Sequence, residues 1–254
     1  MITAVLLAAG YATRLYPLTT DRPKTLLRLG RGVILDEVVR AVREVPDVRR
    51  ILLVSNGRFA AQFEAWRRSA RQTDVEIIND GTMTAETRLG AIRDLALAHR
   101  DVEAQDDLLV VGTDNLFRWS MSCFAAQAQR MLPHASVALW HAPSRDVATQ
   151  CGVVVRDAEH RITQFAEKSP QPPSAEVAVC VYYLPAAIRA MIGAFLKEGN
   201  ADAPGFFIQW LARRSPVYGV EMPGEWHDIG TIKAYEAIVK TWTTTSTRKR
   251  GAGS

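Results

Sequence analysis

The loop after the first apolar segment constrains this chain more than any other feature. Residues 2–8 are apolar and lead into small residues, a pattern that favours a buried strand whose carboxyl end opens into a loop. In an α/β sheet, ligands bind at that edge. Small side chains let backbone N–H groups approach phosphate oxygens closely. We therefore expect a phosphate-binding loop formed by Ala8, Ala9, Gly10, Tyr11, Ala12 and Thr13.

Cationic side chains follow in the same segment. Arg14 offers a rigid guanidinium fork suited to phosphate, and Lys24 offers a mobile point charge. Pro17 and Pro23 restrict the backbone between them and disfavour a helix there. Neither GxxxxGK[ST] nor GxGxxG occurs in the chain. The segment predicts a polyphosphate site of another kind, and a plain strand-to-helix loop rich in small residues is the alternative.

Composition limits the partners. The formal net charge of the 254 residues is +4, and the basic segment 248–250 supplies three of these charges, so nucleic-acid binding has little support. Cys123, Cys151 and Cys180 are too far apart for a CxxC motif, and their odd number argues against a disulfide framework, which favours a reducing cytoplasm. No apolar run approaches the length of a membrane span, so no membrane partner is expected.

Strand-like and helix-like segments alternate through the first 140 residues. This alternation predicts an α/β fold with a mixed, mainly parallel sheet and helices on both faces. The predicted strands are 2–8, 50–55, 75–79, 107–111 and 135–140. The predicted helices are 34–45, 57–70, 85–98 and 120–132.

After Gly152 the pattern changes to short strands joined by a polar turn, with a further strand near Val177–Leu184, which predicts a small antiparallel insertion. Asp202 is the expected cap of a helix that begins with Pro204. A strand at 217–221 and a helix from Ile232 follow. We expect one domain over 1–242, with a nucleotide-binding core (1–150) and a sugar-phosphate-binding part (151–230), and a disordered tail over 243–254.

Two aspartates are candidate metal ligands. Asp114 follows an apolar run and the small pair Gly112–Thr113, which places a carboxylate at the carboxyl end of a buried strand. Asp228 lies in the segment EWHDIGT, just before a glycine. Mg²⁺ held by one or two carboxylates and by phosphate oxygens would offset the charge of a triphosphate. The alternatives are a turn at Asp114 and a loop or cap residue at Asp228.

The segment from Gly10 to Lys24 resembles the signature GxGTRLxPxTxxxPK of the sugar-1-phosphate nucleotidyltransferases. It departs from the signature at Ala12, which would be strained if the position needs a positive φ. The segments TDN and EWHDIG are similar to the GDN and WxDxG motifs of that family, whose aspartates hold the metal. The resemblance implies a Rossmann-like core, Mg²⁺ dependence and frequent assembly into homo-oligomers.

The resemblance also implies a site for the sugar phosphate. Glu167 and Lys168 are similar to the EKP motif of the family, although Ser169 separates them from the proline. Cys180 stands where the family often has glycine. An exposed charged pair on a hairpin is the alternative for the motif. The implied sugar-phosphate-binding residues are Asn115, Gly152, Glu167, Lys168 and Tyr182.

The segment NDGTMTAETRLGAIRDL occupies the place where the family reads the base and ribose. It does not match the QxxPxGTAxA pattern of the thymidylyl and uridylyl enzymes, so the base stays open. A turn followed by a helix cap is the alternative. The nucleotide-binding residues expected here are Asn79, Asp80, Gly81, Thr82 and Arg88.

Together these features predict a nucleotidyltransferase. A sugar 1-phosphate, or a heptose or cyclitol phosphate, would attack the α-phosphorus of a nucleoside triphosphate and release pyrophosphate. The resemblance implies that Arg14 grips the pyrophosphate, that Lys24 bridges the nucleophile and the α-phosphate, and that Lys168 orients the sugar phosphate. Asp114 and Asp228 would hold Mg²⁺. The alternative is an inactive regulatory protein on the same fold that senses nucleotide sugars.

Overall fold

The computed structural model describes residues 1–248, with side chains described to Trp242. A mixed nine-stranded sheet forms its centre, and two short two-stranded sheets accompany it. The strands are β1 (Ile2–Leu7), β2 (Arg28–Leu29), β3 (Gly32–Val33), β4 (Val48–Ser55), β5 (Val75–Asn79), β6 (Asp107–Gly112), β7 (Asn115–Phe117), β8 (Ala135–His141), β9 (Gly152–Arg156), β10 (Ile162–Glu167), β11 (Glu176–Leu184), β12 (Val217–Glu221) and β13 (Trp226–Asp228).

Helices cover both faces of the sheet. They are α1 (Ile34–Val42), α2 (Ala60–Ser69), α3 (Ala91–His99), α4 (Met121–Gln129), α5 (Arg145–Ala148), α6 (Ala186–Arg189), α7 (Met191–Phe195), α8 (Pro204–Ala212) and α9 (Ile232–Arg248). Short 3-10 turns occupy Thr13–Leu15, Lys24–Leu26 and Ala85–Thr87.

The strand order β10-β9-β11-β6-β1-β4-β5 puts β1 between β4 and β6, and it runs parallel to both. After β1 the chain forms β4 on one side of β1, and it later returns to form β6 on the opposite side of β1. This reversal is a topological switch point, the place where the carboxyl ends of neighbouring strands leave a crevice. Strand β11 then joins β6 in antiparallel orientation and carries β8 and β9 beside it. The predicted mixed α/β architecture with an antiparallel insertion is confirmed.

Alternation along the central strands explains why they are apolar throughout. Val5 and Leu52 pack into one hydrophobic core, while Leu6 and Leu53 pack into the other. All four side chains are fully buried. Successive side chains of a strand point to opposite faces, and here both faces are covered by helices. Continuous hydrophobicity therefore marks the strands that hold the crevice in place.

The observed helices are shorter than predicted. The helix predicted over 85–98 is not continuous, and the predicted cap of α8 is another residue. Segment 85–98 splits into a 3-10 turn and α3, because Gly90 between them adopts φ +89°. A Cβ at Gly90 would lie 2.7 Å from the Ala201 carbonyl oxygen, so this close approach also requires glycine. Asp202 does not cap α8, whose N-cap is Ala203. Its side chain pairs instead with Arg88 at 3.0 Å.

The end of the chain departs from the expected tail. Helix α9 continues to Arg248, so the backbone of residues 243–248 is helical where composition predicted disorder. Propagating an established helix costs far less than starting one, which lets a polar segment continue it. The rest of the predicted tail, residues 249–254, lies outside the described residues. Among the described helices, none is both long enough and apolar enough to cross a bilayer.

Removing the Tyr183 hydroxyl tests the contact between β11 and β6. This hydroxyl donates a 2.7 Å hydrogen bond to Asp107 Oδ2, and the ring is buried. We expect Tyr183→Phe to lower the free energy of unfolding by about 1–2 kcal/mol, because the bond has a carboxylate acceptor. Urea unfolding measures the change. Tyr16→Phe, at a side chain that is 42% exposed, is the matched control and should differ little from the parent protein.

Candidate active site

A cleft of about 600 Å³ opens at the carboxyl ends of β1 and β6, the edge that the sequence predicts. The predicted phosphate loop forms one wall, and the residues before and within α3 form another. The polar and glycine residues that line it are Gly10, Tyr11, Thr13, Arg14, Lys24, Thr25, Arg88, Gly90, Asp94, Gly112, Thr113, Asp114, Lys168, Cys180 and Asp202. Ala8, Ala9, Ala12, Ala85 and Ala91 complete most of the surface.

The loop after β1 is anchored at its start and open at its turn. The Ala8 N–H donates to the Val54 carbonyl at 2.9 Å, which extends the β1–β4 pairing by one residue. A Cβ placed on Gly10 would meet nothing within 4 Å, so the backbone there faces free space. Thr13 and Arg14 follow in a 3-10 turn and are exposed. All six residues predicted for this loop, from Ala8 to Thr13, line the cleft.

Ala12 carries the strain that its departure from the family signature implied. Its φ of 50° and ψ of 41° lie in the left-handed region, which glycine adopts without cost and alanine does not. The Thr19 hydroxyl and the Leu15 N–H both donate to its carbonyl oxygen at 2.9 Å. These two bonds hold the strained turn in place.

The two candidate metal ligands meet although 114 positions separate them in sequence. Strands β7 and β13 pair in antiparallel orientation and put Asp228 opposite Asn115. The Ile229 N–H donates to the Asp114 carbonyl at 3.0 Å. Asp114 lines the first cleft, and Asp228 lines a second one of about 630 Å³ whose walls include Trp140 and Trp226. Each acid of the pair therefore lines a cleft of its own.

Lys24 compensates one of these acids. Its Nζ lies 2.9 Å from Asp114 Oδ2. Desolvation alone would raise the pKa of Asp114, but the charge and the hydrogen bond of Lys24 outweigh it and lower that pKa. Desolvation, followed by the neighbouring Asp114 charge, raises the pKa of Asp228. The site thus holds one firmly ionised carboxylate and a second that would gain from a nearby cation.

Arg14 also acts on the acid pair. A Cβ on Gly230 would lie 3.0 Å from Asp228 Oδ2 and 3.5 Å from the Arg14 guanidinium, so glycine leaves these two groups room. The charge of Arg14 lowers the pKa values of both acids. The phosphate loop and the acid pair are therefore parts of one electrostatic unit.

Asn115 supports Asp114. Its Nδ2 donates to the Asp114 carboxylate at 2.8 Å and to the Gly112 carbonyl at 3.0 Å, and its Oδ1 accepts from Trp226 Nε1 at 2.8 Å. The side chain is buried and absent from the cleft lining described above. Its geometry is that of a residue that orients Asp114, whereas the sequence predicts a sugar contact.

Of the predicted sugar-phosphate residues, Lys168 lines the cleft and the others do not. Lys168 lines the cleft, and its φ of 47° is in the left-handed region. Glu167 lies in a slot formed by Gly152 and Gly205, where a Cβ would come within 2.9 Å and 2.1 Å of its Oε2. Desolvation in this slot raises the pKa of Glu167. Tyr182 is fully surrounded by protein beside Cys180, and burial raises its pKa. Of this set, Lys168 alone reaches the cleft lining within the described residues.

The NDGT turn bonds mainly to itself. Asn79 accepts from the Gly81 N–H at 2.9 Å, and Asp80 accepts from the N–H and hydroxyl of Thr82 at 2.7 and 2.8 Å. The turn reaches the cleft through Tyr11, whose hydroxyl lies 3.1 Å from Thr82 Oγ1. Arg88 lies before α3 and not within its first turn, but its side chain lines the cleft.

Comparison with known proteins identifies the family. The family model described as nucleotidyl transferase matches residues 3–245. This chain belongs to the nucleotidyl transferase family. The recognition of that family from the glycine loop is thereby confirmed.

Relatives of this chain carry several substrate names. It is 27% identical over 237 residues to "Probable mannose-1-phosphate guanylyltransferase 1" of Oryza sativa, with 91% of this chain and 62% of that protein covered. It is 25% identical over 269 residues to glucose-1-phosphate adenylyltransferase of Corynebacterium jeikeium, with 93% and 66% covered. The chain thus spans a little under two thirds of the length of these relatives.

A solved structure has the same fold. A protein of Bacillus anthracis described as a "putative glucose-1-phosphate thymidylyltransferase", in complex with sucrose, superposes with a TM-score of 0.81 at 20% identity. The match covers 96% of each chain. At this identity the likeness concerns the fold.

Among the cleft residues that sequence reasoning missed, Asp94 and Thr25 each bury a polar atom without a hydrogen-bond partner. Asp94 is 6% exposed, and its Oδ1 has no hydrogen-bond partner. Thr25, beside Lys24, is 4% exposed and has an unpartnered hydroxyl. An acid in the first turn of a helix is ordinarily explained by the helix dipole, so Asp94 was not singled out from the sequence. A signal that could have found it is its position beside the buried Leu95, on a face that helical periodicity turns inward.

Replacing Ala12 by glycine tests the strain in the phosphate loop. We expect Ala12→Gly to raise the free energy of unfolding by about 1 kcal/mol, because relief of the left-handed alanine exceeds the entropy that glycine adds to the unfolded chain. Ala8→Gly, in the same loop without a positive φ, should lower it by about 0.5–1 kcal/mol. Urea unfolding of both variants measures the opposite signs. Destabilisation by Ala12→Gly would contradict the assignment of strain.

The pKa of Asp94 predicts a pH-dependent stability. Desolvation, followed by the charge of Asp80, raises it from 3.8 to about 7. The folded state therefore binds a proton that the unfolded state releases above pH 4, so this residue costs stability progressively between pH 4 and pH 7. We expect Asp94→Asn to be more stable than the parent at pH 8, by on the order of 2–4 kcal/mol, and to lose that advantage near pH 4. Thermal unfolding across this range measures the difference; an advantage that does not vary with pH would contradict the assignment.

Proposed function

We propose that this protein transfers a nucleotidyl group from a nucleoside triphosphate to a sugar 1-phosphate, giving a nucleoside-diphosphate sugar and pyrophosphate. The observation that carries the proposal is the meeting of Asp114, Asp228 and Lys24 beside an open, cation-flanked backbone loop. Membership of the nucleotidyl transferase family and the names of the relatives support it. Hexose, heptose and cyclitol phosphates are the acceptors we consider.

The triphosphate lies along the loop from Ala8 to Thr13. Backbone N–H groups around Gly10 and the Arg14 guanidinium bind the β- and γ-phosphates and stabilise the departing pyrophosphate. Lys24 Nζ, at 2.9 Å from Asp114, is placed to contact the α-phosphate as charge develops there. A phosphate monoester is already a nucleophile near neutral pH, so no side chain has to remove a proton. The protein contributes positioning and charge compensation.

Mg²⁺ fits this donor set. Within the described residues, no group of three or more histidine, cysteine or acidic side chains forms a cage for a metal ion. Mg²⁺ is ordinarily bound by one or two carboxylates together with substrate phosphates, and Asp114 and Asp228 are such a pair. When bound, the ion would neutralise phosphate charge and polarise the α-phosphate. The pKa of Asp228, raised by desolvation and by the Asp114 charge, would fall on contact with a cation.

The acceptor binds on the side of the antiparallel insertion. Lys168 reaches the cleft with an ammonium group that suits the phosphate of a sugar 1-phosphate. Glu167 lies behind it, 4.0 Å from the Lys168 ammonium group and outside the cleft lining, and stays a predicted acceptor for sugar hydroxyls. Free thiols at Cys123, Cys151 and Cys180 are compatible with our proposal that the reaction takes place in a reducing cytoplasm.

Replacing Asp114 by asparagine tests the proposal. The substitution keeps the size of the side chain but removes the charge that holds Lys24 and the metal. We expect the rate of pyrophosphate release, with Mg²⁺ and a matrix of nucleoside triphosphates and sugar 1-phosphates, to fall by roughly a thousandfold. Asp228→Asn should act in the same direction.

The matched control is Glu159→Gln, which removes one negative charge from the exposed turn between β9 and β10. It should turn over like the parent protein. Full turnover by Asp114→Asn would overturn the metal assignment. Binding of nucleotide sugars without pyrophosphate release from any substrate pair would favour the alternative, an inactive sensor on the same fold.

A further inference from the structure

A buried asparagine holds the loop after β1 from behind. Asn56 directly follows β4, is fully buried and does not line the cleft. Its Nδ2 donates to the Ala9 carbonyl at 2.9 Å, and its Oδ1 accepts from the Phe59 N–H at 3.0 Å. A carbonyl partner requires the amide nitrogen and an N–H partner requires the amide oxygen, so these two contacts fix which way the amide faces. Asn56 can therefore act on a ligand in the cleft only through Ala9.

The bond to Ala9 sets the direction of the next N–H group. The peptide bond between Ala9 and Gly10 is trans. In a trans peptide the C=O and N–H groups point in opposite directions. Asn56 holds the Ala9 carbonyl on the side of β4. The Gly10 N–H therefore points away from β4.

The side opposite β4 is the side on which the cleft opens. Strands β4 and β6 flank β1 on opposite sides, and β6 leads to Asp114, which lines the cleft together with Lys24. Gly10 also lines the cleft and is exposed, and a Cβ there would meet nothing within 4 Å. Among the residues that the structure describes, no acceptor bonds to the Gly10 N–H. This backbone donor is therefore open to an anionic ligand.

Holding the start of α2 does not by itself explain this asparagine. The contact with the Phe59 N–H, just before α2, needs only a side-chain acceptor, and serine supplies one as well as asparagine does. A fully buried amide group costs free energy unless both of its ends are bonded. The amide nitrogen of Asn56 is bonded only through Ala9. The loop contact therefore accounts for the part of the side chain that the helix does not need.

We propose that Asn56 is a positioning residue for the phosphate loop: by holding the Ala9 carbonyl, it turns the Gly10 N–H to the cleft, where this N–H donates to a phosphate oxygen of the nucleoside triphosphate. The inference rests on the proposed function, since it deepens the account of how the same loop binds the triphosphate. A donor that is already oriented needs no rearrangement when the ligand binds. Without Asn56 the peptide can rotate and present its carbonyl oxygen, which repels a phosphate.

Asn56→Ser separates the two contacts of this side chain, because serine keeps an acceptor for the Phe59 N–H and loses the group that donates to Ala9. We expect it to bind inorganic tripolyphosphate, with Mg²⁺ present, roughly tenfold more weakly than the parent, since an oriented hydrogen bond to a charged group is lost. Asn56→Asp should bind still more weakly, because its carboxylate repels the Ala9 carbonyl. Calorimetry on the full chain measures both affinities.

Two further readouts separate positioning from a loss of stability. In the parent, the amide proton of Gly10 should shift downfield in the NMR spectrum as tripolyphosphate is added, and in Asn56→Ser it should not. In steady-state kinetics, Asn56→Ser should lower kcat/KM for the nucleoside triphosphate and leave the KM for the sugar 1-phosphate unchanged. Asn200→Ser is the matched control, at an exposed asparagine whose side chain accepts from the Asp202 N–H, and should behave like the parent. Circular dichroism confirms that each variant is folded.

The outcomes separate the inference from the function it rests on. Parent-like affinity in a folded Asn56→Ser would overturn the role of Asn56, while pyrophosphate release by the parent would leave the nucleotidyl transfer standing. A Gly10 amide that does not respond to tripolyphosphate in the parent would also overturn that role, whether or not the variants fold. Weaker binding by Asn56→Ser without pyrophosphate release by the parent from any substrate pair would support the inference and overturn the function. Absence of tripolyphosphate binding and of pyrophosphate release in the parent would overturn both.

Discussion

The antiparallel pairing of β7 with β13 is the contact on which the candidate site depends. It brings Asp228 next to Asp114 from a distant part of the chain, and the bond from the Ile229 N–H to the Asp114 carbonyl closes the pairing. The charge of Asp114 raises the pKa of Asp228, so the two carboxylates repel each other. Lys24 and Arg14, both from the segment after β1, offset this repulsion. The loop and the acid pair therefore depend on each other.

Several features of the cleft lower stability in favour of binding. Ala12 adopts a left-handed conformation, desolvation raises the pKa of Glu167, and Asp94 Oδ1 is buried without a hydrogen-bond partner. A bound cation or hydrogen-bond donor would stabilise the two acids. Sites of this kind are held in place by the rigid structure around them, here the largely buried strands β1 and β6.

Cations stand at both ends of the cleft. Arg14 and Lys24 act on the acid pair, where the proposed function puts phosphates and metal, and Arg88 lines the cleft just before α3. Tyr11 belongs to the loop after β1, and its hydroxyl contacts Thr82 of the NDGT turn. The turn therefore supports the cleft through Tyr11, although its own residues do not line it.

Sequence by itself determined the family, the α/β class and the position of the loop after β1, because these rest on local spacing: a buried strand, small residues and cations within one segment. Tertiary structure decided which polar groups meet. The α3 boundary followed from the close approach of Gly90 to Ala201, and Asn115 was committed to Asp114 by its bond with Trp226. The burial of Asp94 beside the cleft likewise depends on how α3 packs against the sheet. Such contacts depend on how elements pack, and spacing along the chain does not encode packing directly.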